Sequence, residues 1–202
     1  MPSTTFLNLS DEKQEAFISA AKKAFSEHLL PDVKISQIVQ EANIARGSFY
    51  AYFDSKEELY GYLLSKYQNS LTELLKELLS KENGDLIPAF LSLYDNVVKT
   101  LEDDKERAFL TNVLFNMNLY REYQLAMKRQ EPLKNIMWHQ VSVLVDKSKY
   151  NDNAKELLNE IFFMLLSMLA HEIMPTLIKK QDIKDSREHY AKCINLIAQG
   201  IY

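Results

Sequence analysis

Apolar residues recur every three or four positions along most of the chain, which is the spacing of one face of an α-helix. Only four glycines and five prolines interrupt the 202 residues, and the turn clusters that flank strands are hard to place. The pattern therefore predicts an all-α protein of about nine to ten helices.

Helix caps and helix breakers give the predicted boundaries. The first long helix should begin at Ser10, whose hydroxyl can cap it, and run to about Glu27. A second long helix should begin at Asp54 or Ser55, where Ser55 and Glu58 form a capping-box pattern. Pro132 should begin a later helix, and Pro175 should kink or end another. The later helices are predicted near residues 85–102, 105–115, 117–130, 132–148, 153–180 and 186–201.

Residues 33–56 predict two short helices joined by a tight turn. In the first, the apolar residues between Ile35 and Ala42 share one face. Asn43 follows, and it tolerates the left-handed backbone that costs other residues roughly 1–2 kcal/mol. The second helix offers only Phe49 and Phe53 to a core. A helix with so few packing residues is usually presented to a partner, and the pair is typical of a helix-turn-helix.

The segment from Ile38 to Leu59 resembles the DNA-binding end of the TetR family of transcriptional regulators. Its most specific part is the string Tyr50-x-Tyr52-Phe53-x-Ser55-Lys56-Glu57-Glu58-Leu59. The preceding Ala20–Phe25 is similar to the first helix of that family. The resemblance implies a three-helix DNA-binding domain over residues 1–55, with the motif at 34–53. An effector-binding and dimerisation bundle would follow over residues 56–202.

The second helix of the motif is the predicted recognition helix, whose first residues would enter the major groove. Arg46 is the candidate for a bidentate bond to guanine, and Gly47 allows the backbone to approach the duplex. Tyr50 and Lys56 suit phosphate oxygens, although Tyr50 could instead be core and Lys56 an ordinary solvated lysine. The complete predicted DNA-binding set is Lys34, Ser36, Gln37, Ala45, Arg46, Gly47, Ser48, Phe49, Tyr50, Tyr52 and Lys56.

The charge of the first domain is unusual for a DNA-binding protein. Residues 1–67 contain seven Lys or Arg and nine Asp or Glu, so their net charge is 7 − 9 = −2. The basic arm that commonly precedes the first helix in this family is replaced by Pro2–Phe6. Because DNA affinity and its salt dependence scale with the number of neutralised phosphates, non-specific binding should be modest.

A single recognition helix reads only a few base pairs, so the resemblance implies a homodimer on a double-stranded, nearly palindromic operator. The last two predicted helices carry the broadest apolar faces, and helix 161–170 is apolar nearly all round. A wholly intramolecular core is the alternative. The predicted dimer interface consists of Leu158, Phe162, Leu165, Leu169, Tyr190, Ile194, Ile197 and Ile201.

Aromatic and methionine side chains are abundant between residues 109 and 168, and such side chains form adaptable cavities as well as ordinary cores. We expect a small apolar or amphipathic effector to bind there and to release a repressor from DNA. The predicted pocket residues are Phe109, Phe115, Met117, Tyr120, Tyr123, Met127, Trp138, Phe162, Met164 and Met168.

Other classes of function find little support in the sequence. The chain has no glycine-rich phosphate loop, no cluster at the spacing of metal ligands and no nucleophile elbow, so we predict no enzyme, metal or cofactor. Its most apolar run, Ile161–Ala170, is shorter than a membrane span, and a secretory leader is not evident. Cys193 is the single cysteine, expected to be buried, which fits a cytoplasmic protein. The alternative function is a helical ligand-binding or adaptor protein without sequence-specific DNA binding.

Overall fold

The computed structural model describes residues 2–112, 133–178 and 182–202, and the side chains of 133–135 are excluded. These residues form α-helices and short 3-10 turns with no strand, which confirms the predicted all-α class. They divide into two compact units. The first contains residues 2–67 and 104–112, and the second contains 68–103, 133–178 and 182–202.

Six helices contribute to the first unit. They are α1 (Thr4–Leu7), α2 (Asp11–Glu27), α3 (Ile35–Glu41), α4 (Arg46–Tyr52), the beginning of α5 (Lys56–Lys81), and α7, described over residues 104–112. The predicted start of the first long helix is confirmed, since Ser10 occupies the N-cap of α2 and its carbonyl accepts a bond from the Gln14 amide. The prediction that its hydroxyl caps the helix is wrong, because the side chain forms no cap hydrogen bond. The acidic residues Asp11 and Glu12 lie in the first turn, where the helix dipole favours them.

The turn between α3 and α4 has the predicted conformation. Asn43 adopts a left-handed backbone with φ of 52°. The Ile44 amide then donates to the Val39 carbonyl at 3.0 Å, which satisfies a carbonyl at the end of α3. The chain therefore turns sharply over residues 42–45, and α4 begins at Arg46.

The predicted capping box at the start of α5 is also present. The Glu58 amide donates to the Ser55 hydroxyl at 3.1 Å, and a Glu58 carboxylate oxygen accepts from the Asp54 amide at 2.8 Å. The return bond thus goes to Asp54 rather than to Ser55 itself. Because only Phe53 separates Asp54 from the end of α4, these bonds fix the short connection between the two helices.

Helix α1 was not predicted from the sequence, which indicated only that Pro2–Phe6 replaces the basic arm of the family. The Ser3 hydroxyl caps it by accepting from the Phe6 amide at 3.2 Å. The Phe6 side chain is fully buried and contacts the rings of Phe17 and Phe53, with centroid distances of 5.7 and 5.1 Å. The N-terminal segment is therefore part of the first core.

Helix α7 packs in the first unit. Phe109 is buried in the same core as the helix-turn-helix, and the Lys22 ammonium lies 5.4 Å from its ring centroid. Lys22 also forms an ion pair with Glu106 at 3.1 Å. Burial raises the pKa of Tyr67 to about 12, with a smaller contribution from Glu106. The prediction that Phe109 belongs to an effector pocket in the second domain is therefore wrong, because its side chain is buried in the core of the first unit.

The second unit contains the end of α5 and five further helices. They are α6 (Leu86–Thr100), α8 (Leu133–Val141), α9 (Asp152–Glu156), α10 (Leu158–Leu177) and α11 (Ile183–Ile201). The helix predicted at 132–148 ends at Val141, where 3-10 turns at 142–144 and 147–149 follow. The helix predicted at 153–180 is interrupted at Leu157. Pro175 lies in the last turn of α10, as a proline that ends a helix should.

Helices α6, α10 and α11 enclose the core of this unit. The rings of Tyr94 and Tyr190 stack with centroids 4.8 Å apart. The Tyr94 hydroxyl donates to Ser186 Oγ at 2.7 Å, and Ser186 Oγ donates to the Glu172 carbonyl at 3.0 Å. Both tyrosines are almost fully buried, so this chain of bonds connects the three helices through an interior that water does not reach.

Among the helices of the described residues, one, α10, has a length and an apolar composition that would suit a membrane crossing. Its 20 residues exceed the ten-residue run identified in the sequence. The central helix of a folded bundle has the same properties, and α10 buries Phe162, Leu165 and Leu169 against its own unit. Length and composition alone therefore do not make this helix a membrane anchor.

Gly84 provides a test of this fold. Its φ is 77°, and a Cβ there would lie 2.5 Å from the Asp146 amide nitrogen and 2.7 Å from the Leu144 carbonyl oxygen. We expect Gly84→Ala to lower the free energy of unfolding by about 2 kcal/mol, because the new methyl group meets backbone atoms in a strained conformation. Chemical denaturation monitored by circular dichroism measures this change.

The matched control is Gly200→Ala. A Cβ at Gly200, in α11, meets no atom within 4 Å. The free energy of unfolding of the Gly200→Ala variant should be unchanged or should rise by up to about 1 kcal/mol, because alanine favours a helix more than glycine does. Equal stability changes in the two variants would contradict the proposed packing around Gly84.

Candidate nucleic-acid interface

Two phenylalanines determine the orientation of α4. Phe49 and Phe53 are almost fully buried, and the Phe53 ring stacks on that of Phe17 with centroids 5.9 Å apart. The Phe49 ring lies 6.1 Å from Phe17. Phe49 was included in the predicted DNA-binding set, and this prediction is wrong for its side chain because the ring is fully enclosed by the first core.

The opposite arc of α4 is exposed. Ala45, Arg46, Gly47 and Tyr50 are exposed, and Ser48 is half-buried. Residues 46, 47 and 50 are neighbours on one helix face, because they are separated by one, three and four positions. Tyr50 is 49 % exposed, so it is not the core residue that the alternative interpretation allowed. A guanidinium, a bare backbone position and a phenol thus share one outward surface.

The glycine in this arc is not required by the packing of the chain itself. A Cβ at Gly47 would meet nothing within 4 Å, and its backbone is ordinary helix. Glycine destabilises a helix interior by roughly 0.5–1 kcal/mol relative to alanine. Its presence is therefore better explained by a partner that approaches the backbone from outside.

The start of α3 adds three exposed side chains, those of Lys34, Ser36 and Gln37. The Gln37 side chain is held in place, because its carbonyl oxygen accepts from the Lys34 amide at 3.3 Å. Its amide nitrogen lies 3.4 Å from His28 Nε2. These bonds fix the first turn of α3. Lys34 is the residue immediately before this helix, and its side chain is exposed.

Two predicted phosphate ligands have structural roles instead. The Lys56 ammonium donates to the carbonyls of Pro31 and Val33, at 2.6 and 3.0 Å, and so fastens the loop before α3 to the start of α5. Tyr52 is half-buried, and its ring packs on Phe6 and Phe17 at 5.7 and 5.6 Å. Both residues position the helix-turn-helix, and their contact with the DNA backbone stays a prediction.

The N-terminal segment supports α4 in a way that the sequence did not reveal. The Ser3 hydroxyl donates to the Ala51 carbonyl at 2.6 Å, and the Ser3 amide donates to the Tyr52 carbonyl at 3.0 Å. These carbonyls end the recognition helix and have no partner within it. The partners are 48 residues apart in sequence for the first bond, so no local pattern could have indicated it.

Several cations of the first unit have partners within the protein although their side chains stay partly exposed. Lys23 forms a bond with Glu41 at 2.9 Å, and this carboxylate raises the pKa of the Lys23 ammonium. Lys22 is paired with Glu106, and Lys56 is bound to carbonyls. Within the helix-turn-helix of residues 34–53, Lys34 and Arg46 are the basic side chains, and both are exposed.

The predicted dimer interface needs a larger correction. Seven of the eight side chains are buried within the chain itself and cannot reach a partner. They are Leu158, Phe162, Leu165, Leu169, Tyr190, Ile194 and Ile201. Ile197 is the member that stays partly exposed. Large apolar side chains that α10 and α11 do expose include Met164 at 55 % and Leu196 at 68 %.

The predicted effector pocket is only partly described. Phe115, Met117, Tyr120, Tyr123 and Met127 lie outside the described residues. Trp138 and Phe162 do meet, with ring centroids 5.2 Å apart. Met164 and Met168 line an open depression of about 580 Å³. Its other lining residues are Asn159, Glu160, Phe163, Ser167 and Ile197.

The architecture of the first unit, with an exposed second helix after a tight turn, defines the helix-turn-helix class of proteins. Two family models match the chain: "Bacterial regulatory proteins, tetR family" over residues 17–63 and "Tetracyclin repressor-like, C-terminal domain" over residues 85–201. The second match covers more than half of the chain. The chain therefore belongs to the TetR family of bacterial regulatory proteins.

Individual relatives agree with this assignment. The chain is 32 % identical over 111 residues to the uncharacterized HTH-type transcriptional regulator YdgC of Bacillus subtilis, covering 53 % of this chain and 55 % of that protein. It is 37 % identical over 73 residues to the uncharacterized HTH-type transcriptional regulator YvdT of the same organism, covering 36 % of each. The chain thus spans about half the length, or less, of these curated relatives.

A solved structure shows the same fold. It comes from a Mesorhizobium loti protein described as a TetR-family transcriptional regulator, and it aligns with a TM-score of 0.61 at 15 % identity. The alignment covers 94 % of this chain and 96 % of that one. The similarity in fold is therefore not confined to the helix-turn-helix.

The structural role of Lys56 is testable. We expect Lys56→Met to lower the free energy of unfolding by about 1–2 kcal/mol, because two backbone carbonyls lose a charged donor. Thermal or urea denaturation measures the loss, and Lys13→Met, which removes an exposed lysine of α2, is the control. If both variants are as stable as the parent protein, the bonds to Pro31 and Val33 do not stabilise the fold.

Proposed function

We propose that the protein is a sequence-specific transcriptional regulator that binds double-stranded operator DNA as a homodimer and acts as a repressor. The observation that carries this proposal is the exposed arc of α4, in which Arg46, Gly47 and Tyr50 face solvent while Phe49 is enclosed by the core. A fold that buries one side of a short helix and leaves the other polar presents that helix to a partner. Membership of a family of regulatory proteins supports DNA as that partner.

In the proposed complex, the N-terminal end of α4 enters the major groove. Arg46 forms two hydrogen bonds to the O6 and N7 atoms of a guanine, which is a frequent base-specific contact of arginine. The bare Gly47 lets the helix backbone come close, and Ser48 reaches a base or a phosphate. Tyr50, Lys34, Ser36 and backbone amides hold the sugar-phosphate strands on either side.

Electrostatic attraction to the phosphates should contribute less to the DNA affinity of this protein than it does in most protein–DNA complexes. With Lys22, Lys23 and Lys56 engaged within the protein, Lys34 and Arg46 are the cations of the motif that face solvent. Each phosphate contact adds about 0.9 to the slope of log affinity against log salt. The measured slope should therefore be shallow, and discrimination must rest largely on base contacts and shape.

We further propose that dimerisation uses the exposed apolar surface of α10 and α11 around Met164, Met168, Ile197 and Leu196. These side chains are partly or largely exposed, whereas the neighbouring apolar residues are already buried in the chain. An exposed apolar surface of this kind marks an interaction site more often than it marks an ordinary solvated face. A second copy of the chain brings the second recognition helix that a palindromic operator requires.

The effector is proposed to be a small apolar or amphipathic molecule that binds the second unit. The aromatic contact between Trp138 and Phe162 supplies apolar surface in this unit, away from the surface around Met164 that we assign to the dimer. A ligand that prefers the conformer with low operator affinity would release the repressor from DNA.

A regulator that binds DNA in this way would act in the cytoplasm and would require no catalysis.

Operator binding provides the first test. Sequences selected from a random oligonucleotide pool should share a two-fold symmetric consensus. We expect Arg46→Ala to weaken binding to that consensus by about 5- to 150-fold, because one base contact contributes about 1–3 kcal/mol. Fluorescence anisotropy measures the affinity, and Lys99→Ala, which removes one exposed positive charge from the second unit, is the control.

At Gly47, the same assay distinguishes an effect on DNA contact from an effect on the stability of the fold. The Gly47→Ala variant should be as stable as the parent protein or more so, because the added Cβ meets nothing within the chain. Operator binding should nevertheless fall by about tenfold, or about 1.4 kcal/mol, because the methyl group enters the space of the duplex. Unchanged affinity in both Arg46→Ala and Gly47→Ala would refute the proposed interface.

The dimer surface is tested by charge insertion. We expect Leu196→Glu and Met164→Glu to shift the protein from dimer to monomer, because a carboxylate cannot be buried unpaired in an apolar interface. Sedimentation velocity measures the shift. Val143→Glu is the control, since Val143 is 82 % exposed outside this surface. Intact dimers in both test variants would place the interface elsewhere.

A further inference from the structure

A carboxylate, an imidazole and a thiol converge between α10 and α11 in the second unit. Glu172 lies near the end of α10, and His189 and Cys193 lie one helical turn apart on α11. The potential ligand atoms of the three residues all lie within 4.8 Å of one another. This cluster is separate from the apolar depression near Met164 and from the helix-turn-helix of the first unit.

The His189–Glu172 pair is at hydrogen-bond distance, and the separations within the cluster lie near those of ligands around one metal ion. His189 Nδ1 lies 2.8 Å from Glu172 Oε1, and the two ring nitrogens lie 3.9 and 3.8 Å from Cys193 Sγ. In a tetrahedral zinc site, with bonds of about 2.0–2.3 Å, the N···S and N···O separations are about 3.6 and 3.4 Å. A shift of roughly half an ångström in the exposed imidazole would suffice to admit the ion.

The positions of these side chains are set by the packing of the two helices. His189 and Cys193 share one face of α11 because four positions separate them. On the α10 side, the Ser186 hydroxyl donates to the Glu172 backbone carbonyl at 3.0 Å, which fixes this part of α10 against α11. The cluster thus rests on two helices joined by a buried hydrogen bond, not on a loop.

Glu172 is only 5 % exposed, and its partner in the structure is the imidazole of His189, whose Nδ1 lies 2.8 Å from Glu172 Oε1. This contact accounts for the burial of the carboxylate, so the case for a metal rests on the convergence of the three ligand atoms. The side chain of His189 is 60 % exposed, so an ion and its remaining water ligand can enter from that side.

We propose that Glu172, His189 and Cys193 form a binding site for a divalent transition metal of the zinc class. Thiolate and imidazole select such ions over magnesium and calcium, which prefer oxygen ligands only. Three protein ligands leave a fourth position for water or another small donor. On binding, the Cys193 thiol releases its proton to solvent and its sulfur donates an electron pair to the metal, while neutral His189 and ionised Glu172 complete the set.

The sequence analysis predicted no metal site, because two potential ligands four positions apart, His189 and Cys193, do not make a metal-binding cluster by themselves. The third ligand, Glu172, lies 17 residues before His189. It joins them only because α10 and α11 pack side by side. The site is independent of the proposed operator binding and can be tested without DNA.

Cobalt(II) is a suitable probe, because a thiolate bound to cobalt gives an absorption band in the near ultraviolet. We expect the reduced, full-length protein to bind one equivalent of cobalt with this band, and added zinc to displace it. Cys193→Ser should abolish the band. His189→Gln and Glu172→Gln should each weaken binding at least tenfold, while circular dichroism shows an unchanged helical content.

The control is His171→Gln, which removes an exposed imidazole of α10 next to Glu172 but outside the cluster. It should bind cobalt like the parent protein. Absence of the thiolate band in the parent protein would overturn the proposal. It would also be overturned if His189→Gln and Glu172→Gln bound cobalt with undiminished affinity, because the metal would then be held by the thiol alone.

Discussion

The enclosure of Phe49 and Phe53 by the aromatic core of the first unit is the constraint on which the rest of the DNA-binding surface depends. Both rings contact Phe17, and Phe53 also contacts Phe6. Because α4 is only seven residues long, two anchored side chains fix its rotation about its own axis. Arg46, with Gly47 and Tyr50, must then face outward. Large-to-small changes at such buried rings cost about 3–5 kcal/mol, so the same contacts that stabilise the fold also determine which side chains can meet DNA.

Local signals predicted the helix-turn-helix well because its geometry is encoded by neighbouring residues. A left-handed Asn43 and the bond between Ser55 and Glu58 each act within a few positions. Helix α1 was missed because its stability comes from distant partners. Ser3 bonds to carbonyls at the end of α4, and Phe6 fills a space between helices. No periodicity can be detected in four residues, so only the tertiary structure shows that this segment supports the recognition helix.

The site residues show the same limit in a different form. Residue type correctly suggested that Arg46 and Tyr50 are exposed, but it could not distinguish a lysine that meets phosphate from one that meets carbonyls. Lys56 finds its acceptors in Pro31 and Val33, more than twenty positions earlier in the chain. On α10, apolar residues occupy most of the circumference, so periodicity could not tell the arc that packs inward from the arc left to solvent. Phe162 and Met164 are two positions apart, yet the first is enclosed and the second is 55 % exposed.

The small number of cations in the helix-turn-helix makes dimerisation important for DNA affinity in the proposed complex. A helix-turn-helix that presents few free cations gains little from phosphate neutralisation, and each subunit alone would bind DNA weakly. Two subunits fixed to each other convert the second contact into an intramolecular event, which raises the affinity without any new charge. The geometry of the second unit then controls the outcome, because a change in the spacing of the two recognition helices removes this advantage. Helices α10 and α11 carry both the exposed apolar surface and the cluster around Glu172. In the proposed dimer, a ligand or metal that alters their packing would act on the surface that sets the spacing of the two recognition helices.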